Sequence, residues 1–155
     1  MAYYIGCINH KVNVKSIVLI PLVSAVFGYQ ANAQDIKSKD VPAVVKETLA
    51  KKYPKATKVS WEKEKGNFEA NWGGKSGEDT SVLFTPAGAF VEEVDAIPVA
   101  QLPSAVAEYV KANYNGAKIR EAGRVTDAAG KKMFEAEIKG KDLVFDETGK
   151  FIKVD

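Results

Sequence analysis

Two glutamates, Glu69 and Glu135, are the residues whose type and placement come closest to a catalytic pair. They occupy the same position in two similar pentapeptides, Phe68–Trp72 and Phe134–Ile138, and Glu137 lies two residues after the second glutamate. Two carboxyl groups that face one cleft can hydrolyse a glycoside, one donating a proton while the other assists the attack. Nothing in the sequence buries either glutamate or separates their pKa values, so we expect solvated strand residues.

Shorter motifs give weaker signals for chemistry. The tripeptide Gly-Lys-Ser at 74–76 matches only the end of a phosphate-binding loop, because Glu69 stands where that loop needs a glycine. The acidic pairs at 78–79 and 146–147 could hold calcium weakly, but neither has the alternating acidic spacing of a dedicated calcium loop. We therefore expect no cofactor and no committed metal site, with weak calcium binding left open.

The only cysteine and the only histidine, Cys7 and His10, lie near the N-terminus. The apolar run at 16–27 that follows them is too short to span a bilayer, which needs about 20 residues. It follows a basic flank and precedes an Ala-Asn-Ala sequence that ends at Ala33, a pattern typical of signal peptides. The sequence therefore predicts a signal peptide at 1–33, cleaved after Ala33, and a periplasmic or secreted protein.

Removal of that segment limits the chemistry available to the mature chain. Without Cys7 and His10 it can form neither a Ser-His-Asp nor a Cys-His nucleophile, nor the thiolate and imidazole ligand sets of zinc and copper sites. Cys7 precedes the apolar run, so we expect no lipid anchor, and no membrane span in the mature chain. The chain has 22 basic and 20 acidic residues, and removal of Lys11 and Lys15 balances them, which favours no nucleic-acid partner.

The chain after the signal peptide contains a duplication. Val41–Tyr53 and Leu102–Tyr114 carry apolar residues at matching i, i+4, i+8 and i+12 positions, which predicts one amphipathic helix in each copy. Pro42 and Pro103 fall in the first helical turn, where a missing N–H costs nothing, and Asp40 can cap the first helix. Matches later in both copies recur at the same 61-residue offset, which supports the duplication.

Each helix is followed by four short strands, which are joined by turns that contain glycine. We therefore predict an α+β fold, in which two tandem helix-plus-four-stranded antiparallel meander repeats form one curved sheet with the helices on one face. The expected bounds are 34–40 for a short leader, 41–97 for the first repeat and 98–155 for the second, which together make one domain at 41–155. The predicted strands lie near Lys58–Lys63, Asn67–Trp72, Thr80–Thr85 and Ala89–Val94, then near Lys118–Val125, Lys132–Ile138, Asp142–Phe145 and Lys150–Val154.

Alternation of side chains along the strands assigns the two faces of the sheet. Trp61 and Trp72 alternate with polar residues, and Phe84 and Phe145 fall on the same side by strand alternation, so we expect all four beneath the helices, with the two tryptophans as core residues rather than a sugar-stacking platform. No segment is left to cover the opposite face. The residues predicted there as a partner-binding face are Glu69, Asn71, Leu83, Val91, Met133, Glu135, Glu137, Val144 and Ile152.

The second copy contains the motifs of a known family. Leu102-Pro, Phe134-Glu-Ala and the stretch Leu143–Phe151 resemble the PepSY-like, β-lactamase-inhibitor-like family of exported bacterial proteins, over about residues 40–155. The first copy departs from that pattern at 85–88. The resemblance implies tandem repeats with a curved sheet surface. In the inhibitor that gives the family its name the concave face grips an enzyme, and the family has no catalytic motif.

These features together predict an exported, non-enzymatic binding module. It would act through its open sheet face as an inhibitor or sensor of another exported or envelope protein. Two alternatives stay open at this point: a carboxylate-based glycan hydrolase that uses Glu69 and Glu135, and a calcium- or small-ligand-responsive periplasmic protein that uses its acidic loops.

Overall fold

The computed structural model of the chain describes residues 34–75 and 79–155. The predicted signal peptide, with Cys7 and His10, and the loop residues 76–78 lie outside this described part. All described residues belong to one compact unit. Within them, no helix is long and apolar enough to cross a membrane.

In the described part of the chain, nine strands form one antiparallel sheet whose strand order follows the chain order. A helix precedes the main strands of each repeat, and a short 3-10 helix precedes each helix. The predicted α+β class is therefore confirmed, with helices on one face of an open sheet. The elements are β1 (Gln34–Asp35), a 3-10 helix (Ser38–Asp40), α1 (Ala43–Lys52), β2 (Ser60–Glu64), β3 (Asn67–Trp72), β4 (Thr80–Phe84), β5 (Phe90–Ala96), a 3-10 helix (Val99–Gln101), α2 (Ser104–Asn113), β6 (Glu121–Asp127), β7 (Lys132–Ile138), β8 (Lys141–Asp146) and β9 (Phe151–Val154).

The start of each helix differs from the prediction. Pro42 and Pro103 are the N-cap residues, one position before the first helical residue, and neither helix has a side-chain cap. The prediction that Asp40 caps α1 is wrong, because Asp40 ends a 3-10 helix two residues before the N-cap. The leader contributes an edge strand that alternation could not reveal, since β1 is only two residues long and pairs with Glu62 and Lys63.

Both helices pack on the same face of the sheet. Val82 pairs with Glu93, Glu93 with Thr126 and Thr126 with Lys132, so one face continues from β4 to β7. Lys132 shares that face with Ala136 by alternation. Val82 belongs to the core under α1 and Ala136 to the core under α2. The core residues are Val41, Val45, Leu49, Trp61, Phe68, Ala70, Val82 and Phe84 under α1, and Val106, Val110, Ala136, Ile138, Leu143 and Phe145 under α2.

The two tryptophans belong to the first core, as expected. Trp61 is buried, and Trp72 packs against that cluster with its ring 5.2 Å from the ring of Tyr53. The pKa of Tyr53 is raised by burial and by the hydrogen bond that its hydroxyl donates to Glu93, at 2.8 Å. Core packing with the helices therefore covers the helix-side face, and the helices leave the opposite face uncovered.

That opposite face is concave, because the two ends of the sheet meet on it. Lys65 follows β2 and Asp155 follows β9, and seven strand spacings would separate these strands by roughly 34 Å in a flat sheet. Instead Lys65 Nζ lies 2.9 Å from Asp155 Oδ1 and 3.2 Å from Glu64 Oε1. Glu64 alternates with Glu62 and Asp155 with Lys153, so all these groups lie on the open side of the sheet. The sheet thus curls toward its open face, while β1 and β9 stay separate edges.

Candidate binding face

Strand pairing brings the two repeats' equivalent glutamates onto the concave face. In the first repeat Glu69 lies between Glu62 on β2 and Leu83 on β4. In the second repeat Glu135 lies between Gly123 on β6 and Val144 on β8. Directly paired residues in antiparallel strands point to the same face, so the register confirms that both glutamates point away from the helices.

A groove of about 720 Å³ runs along this concave face. Carboxylates from five strands and one loop converge on it, together with one arginine and a short apolar wall. Its charged lining residues are Glu62, Glu69, Asp79, Arg120, Glu121, Glu135, Glu137 and Asp142, and its apolar ones include Val94, Ala96, Ile97, Pro98 and Val99.

Glu135 has a strongly raised pKa among the acids that line the groove. Burial, together with the negative charges of Asp142, Glu92, Asp155 and Glu64, raises its pKa to about 8. A carboxylate that is removed from water and surrounded by like charges takes up a proton instead of holding its charge. Glu135 therefore carries a proton for much of the time at neutral pH.

Glu69 has a different environment in the first repeat. Its pKa is raised to about 7, chiefly by burial and also by the charges of Glu64 and Glu62, while hydrogen bonds with Ser81 and Asn71 act in the opposite direction. The Ser81 hydroxyl oxygen also lies within hydrogen-bond distance of the side-chain oxygen of Asn71. This neutral polar network partly compensates for the burial of Glu69.

Two further acids on the same face are shifted in the same direction. The pKa of Glu92 is raised by burial and by the charge of Asp155, and that of Asp142 by burial and by the charge of Glu137. Four half-buried carboxyl groups, including Glu69 and Glu135, thus have raised pKa values on one surface. An arrangement of this kind is unfavourable for folding and is typical of functional sites.

Asp155 is the acid that the concave face stabilises in its charged form. Burial alone would raise its pKa, but the ammonium groups of Lys65 and Lys153 lower it below its ordinary value. Lys65 Nζ lies 2.9 Å and Lys153 Nζ 3.0 Å from the Asp155 carboxylate. The pKa of Lys65 is raised in turn, chiefly by its hydrogen bond to Asp155.

The environment of Glu69 and Glu135 corrects the first expectation about them. We expected solvated strand residues, and this is wrong, because both side chains are largely removed from water, with acids of the adjacent strand β2 near Glu69 and acids of more distant strands acting on Glu135. Alternation shows which face a residue occupies, but it carries no information on how far the sheet bends. Glu64, Glu92 and Asp155 were missed for the same reason.

The other residues of the predicted face lie at different depths. Asn71 and Val144 are each only 3% exposed. Val91 and Ile152 are the additional residues of two bulges, where alternation no longer assigns a face. The groove is lined by Glu69, Asn71, Glu135 and Glu137, and not by the remaining members of that set, Leu83, Val91, Met133, Val144 and Ile152.

The acidic side chains are not arranged as a metal centre. In the part of the chain that the structure describes, no three His, Cys, Asp or Glu side chains are grouped so that they could hold a metal ion. Of the two acidic loops, Glu78 lies outside the described residues. In the other loop, Asp146 Oδ1 accepts hydrogen bonds from Thr148 and from the backbone N–H of Lys150, so its own turn occupies it.

Solved structures with a similar fold come from Bacteroides species. A "putative periplasmic" protein of Bacteroides eggerthii aligns with a TM-score of 0.59 at 20% identity, over 74% of this chain and 88% of that one. A DUF2874 family protein of Bacteroides uniformis aligns with a TM-score of 0.57 at 24% identity, over 74% of this chain and 88% of that one. A BLIP-like protein of Bacteroides fragilis aligns with a TM-score of 0.53 at 20% identity, over 74% of this chain and 85% of that one. At these identities the likeness shows the fold alone.

Comparison of sequences identifies the family. No curated protein matches the chain. The profile of the family described as beta-lactamase-inhibitor-like, PepSY-like matches it twice, at residues 29–91 and 71–153. The two matches together cover both repeats, in agreement with the duplication and with the resemblance seen in the second copy. This chain therefore belongs to the beta-lactamase-inhibitor-like, PepSY-like family.

Proposed function

We propose that this protein is an exported, non-enzymatic binding module that holds another exported or envelope protein on its concave sheet face. The groove on that face is the observation that carries the proposal, since no described element covers it while both helices pack on the other side. The BLIP-like name of the Bacteroides fragilis structure and the periplasmic description of the Bacteroides eggerthii structure support the same function and location. Export relies on the predicted signal peptide at 1–33.

The electrostatics of the groove support binding rather than a structural role. On a flat sheet face that is fully exposed to water, the carboxylates would be solvated and would keep their ordinary pKa values. Here Glu69 and Glu135 have pKa values of about 7 and about 8 because the curved sheet buries them and places other acids near them. Such an arrangement lowers the stability of the free protein, and a bound partner can offset that loss.

The hydrolase alternative is less well supported by the same groups. Glycoside hydrolysis needs one protonated and one ionised carboxyl group on either side of the substrate. Glu69 and Glu135 are both shifted upward, so their environments do not push the two pKa values apart in the required sense. Asp155 does favour its ionised form, but two lysine ammonium groups occupy its oxygens.

A steric block of the groove tests the proposal. Ala96 lines the groove, is exposed, and pairs with Gly123, so a tryptophan at this position would fill the groove without changing its charge. Ala107 is exposed on α2, on the other side of the sheet, and Ala107→Trp is the matched control. The measurement is capture of an envelope protein by each immobilised variant, followed by a binding constant for the purified partner.

We expect Ala96→Trp to abolish the interaction and Ala107→Trp to leave it intact. Equal loss in both variants, or in neither, would contradict binding through the concave face. Turnover of glycan oligosaccharides by the unmodified protein, lost in Glu135→Gln, would favour the hydrolase instead.

A further inference from the structure

We propose that the segment of the partner that enters the groove is basic, and that it places lysine or arginine side chains against the wall that carries Glu135 and Glu137. This inference rests on the proposed function, and it specifies the chemistry of the partner. The sheet face is the docking surface, and its occupant is a cationic polypeptide segment.

Charge complementarity is the first argument. The groove is lined by seven carboxyl groups and by one cation, Arg120. The imbalance is local, because the chain as a whole has 22 basic and 20 acidic residues. Next to Glu135, Glu137 and Asp142, an anionic segment would add further like charge, whereas ammonium or guanidinium groups would favour the ionised carboxylates and form charge-assisted hydrogen bonds with them.

The apolar wall of the groove is the second argument. Val94, Ile97, Pro98 and Val99 line the groove next to the acids, and Val99 is 39% exposed, so its side chain is available for contact. Lysine and arginine combine a long apolar stem with a charged end, and they bury the stem while the end meets a polar group. A wall of this composition beside carboxylates fits such side chains better than it fits a small inorganic cation.

The base of the groove, at Gly123, is the third argument for lysine or arginine side chains. Gly123 occupies the repeat position that Glu62 holds in the first repeat, and a Cβ at Gly123 would collide with Val94. The glycine thus lets Val94 lie over β6 next to Glu135. Next to Glu135 the groove therefore has the apolar side chain of Val94, whereas next to Glu69 it has the carboxyl group of Glu62.

The chain itself already places ammonium groups on the concave face. Lys65 Nζ lies between Asp155 and Glu64, at 2.9 Å and 3.2 Å, and Lys153 Nζ lies 3.0 Å from Asp155. These lysines neutralise one end of the face. Among the described residues no salt bridge joins Glu135 or Asp142 to a lysine or arginine, and burial together with neighbouring negative charges raises the pKa of both acids.

Isothermal titration calorimetry with synthetic peptides tests the inference. One peptide alternates lysine with alanine, and a second alternates glutamate with alanine. The protein is the chain from residue 34 onward, which contains all described elements. The test variant is Glu135→Gln with Glu137→Gln, and the control is Glu47→Gln with Glu108→Gln, which replaces the same number of carboxyl groups at exposed helix positions.

We expect the lysine peptide to bind and the glutamate peptide not to bind. The groove variant should weaken binding of the lysine peptide roughly tenfold or more, and the helix control by much less. Equal affinity for both peptides, or an equal loss of affinity for the lysine peptide in both variants, would overturn the inference. Displacement of the bound lysine peptide by calcium chloride at an equal concentration of positive charge would also overturn it.

The test separates this inference from the function on which it rests. If the lysine peptide fails to bind while Ala96→Trp still abolishes capture of the partner, the groove is a binding site but its occupant is not basic. If the lysine peptide fails and Ala96→Trp has no effect, both proposals fail.

Discussion

Glu69 and Glu135 occupy the same position of the two repeats, yet different neighbours surround them. Ser81 and Asn71 form hydrogen bonds to Glu69, whereas Asp142 opposes Glu135 with a like charge. Asp142 lies 61 residues after Ser81, and Glu137 takes the place of Asn71. The two repeats thus share the glutamate, and acids occupy the positions in the second repeat where the first has Ser81 and Asn71.

Glu135→Gln should change how stability depends on pH. Because folding raises the Glu135 pKa from 4.5 to about 8, the folded state binds a proton more tightly than the unfolded state. The stability that this proton contributes is complete below about pH 4.5 and is lost as pH rises toward 8. The variant should therefore match the unmodified protein near pH 4.5 and exceed its free energy of unfolding by roughly 1–3 kcal/mol at pH 8.5.

Denaturant unfolding across this pH range measures the effect. Glu108→Gln, at an exposed position on α2, serves as the control and should show no pH-dependent difference. If Glu135→Gln behaved like this control, the acids that face Glu135 from other strands, namely Asp142, Glu92, Asp155 and Glu64, would not perturb it as the structure indicates.

Lys65→Met should raise the pKa of Asp155. One of the two ammonium groups that keep this carboxylate ionised would be lost, and burial would then have less opposition. The free energy of unfolding should fall by less than about 1 kcal/mol, because both side chains of the pair are partly exposed. Titration of the Asp155 side-chain carbon by NMR measures the pKa, and an unchanged value would show that the two ends of the sheet do not meet in solution.

Gly149→Ala should destabilise the second repeat more than Gly130→Ala does. Both glycines have a positive φ, 85° and 78°, so the left-handed backbone penalises alanine at both. A Cβ at Gly149 would also lie 2.9 Å from Pro103 Cβ at the start of α2, while a Cβ at Gly130 meets open space. Thermal unfolding should therefore show a larger loss for Gly149→Ala, and equal losses would mean that this turn does not press against the helix.

The two repeats should unfold together. Strands β5 and β6 pair through five residue pairs, among them Val94 with Val125, so the sheet has no break between the repeats. A fragment of residues 34–97 would expose β5 as an unpaired edge and lose this contact. We expect one unfolding transition for the whole chain and no cooperative melting of the fragment, and a sharp melt of the fragment would indicate two independent domains.

The sequence predicted the fold well, because local patterns determine most of it. The i, i+4 stripes located both helices, and the alternation around Phe68 and Phe134 located the strands and their helix-side residues. The two-residue strand β1 was missed since it is too short to alternate. Val91 and Ile152 lie at bulges, where one additional residue ends the alternation without any signal in composition.

The candidate site was predicted only in outline. The face of Glu69 and Glu135 followed from alternation, but their burial did not. Asp155 lies 90 residues from Lys65 in the chain, and no local pattern links the two. Sheet curvature brings them together, and curvature results from twist and bulges added over many strands. The groove and its shifted pKa values therefore required the three-dimensional structure.

The central claim is that the concave face, and not the helix side, receives a basic partner. NMR chemical-shift mapping with the peptide that alternates lysine and alanine tests it most directly. We predict that backbone amide signals of Ser81, Gly123, Glu137 and Gly140 shift in proportion to bound peptide, while those of α1 and α2 stay in place. Shifts that concentrate on Ala43–Lys52 and Ser104–Asn113, with the groove signals unmoved, would contradict the claim.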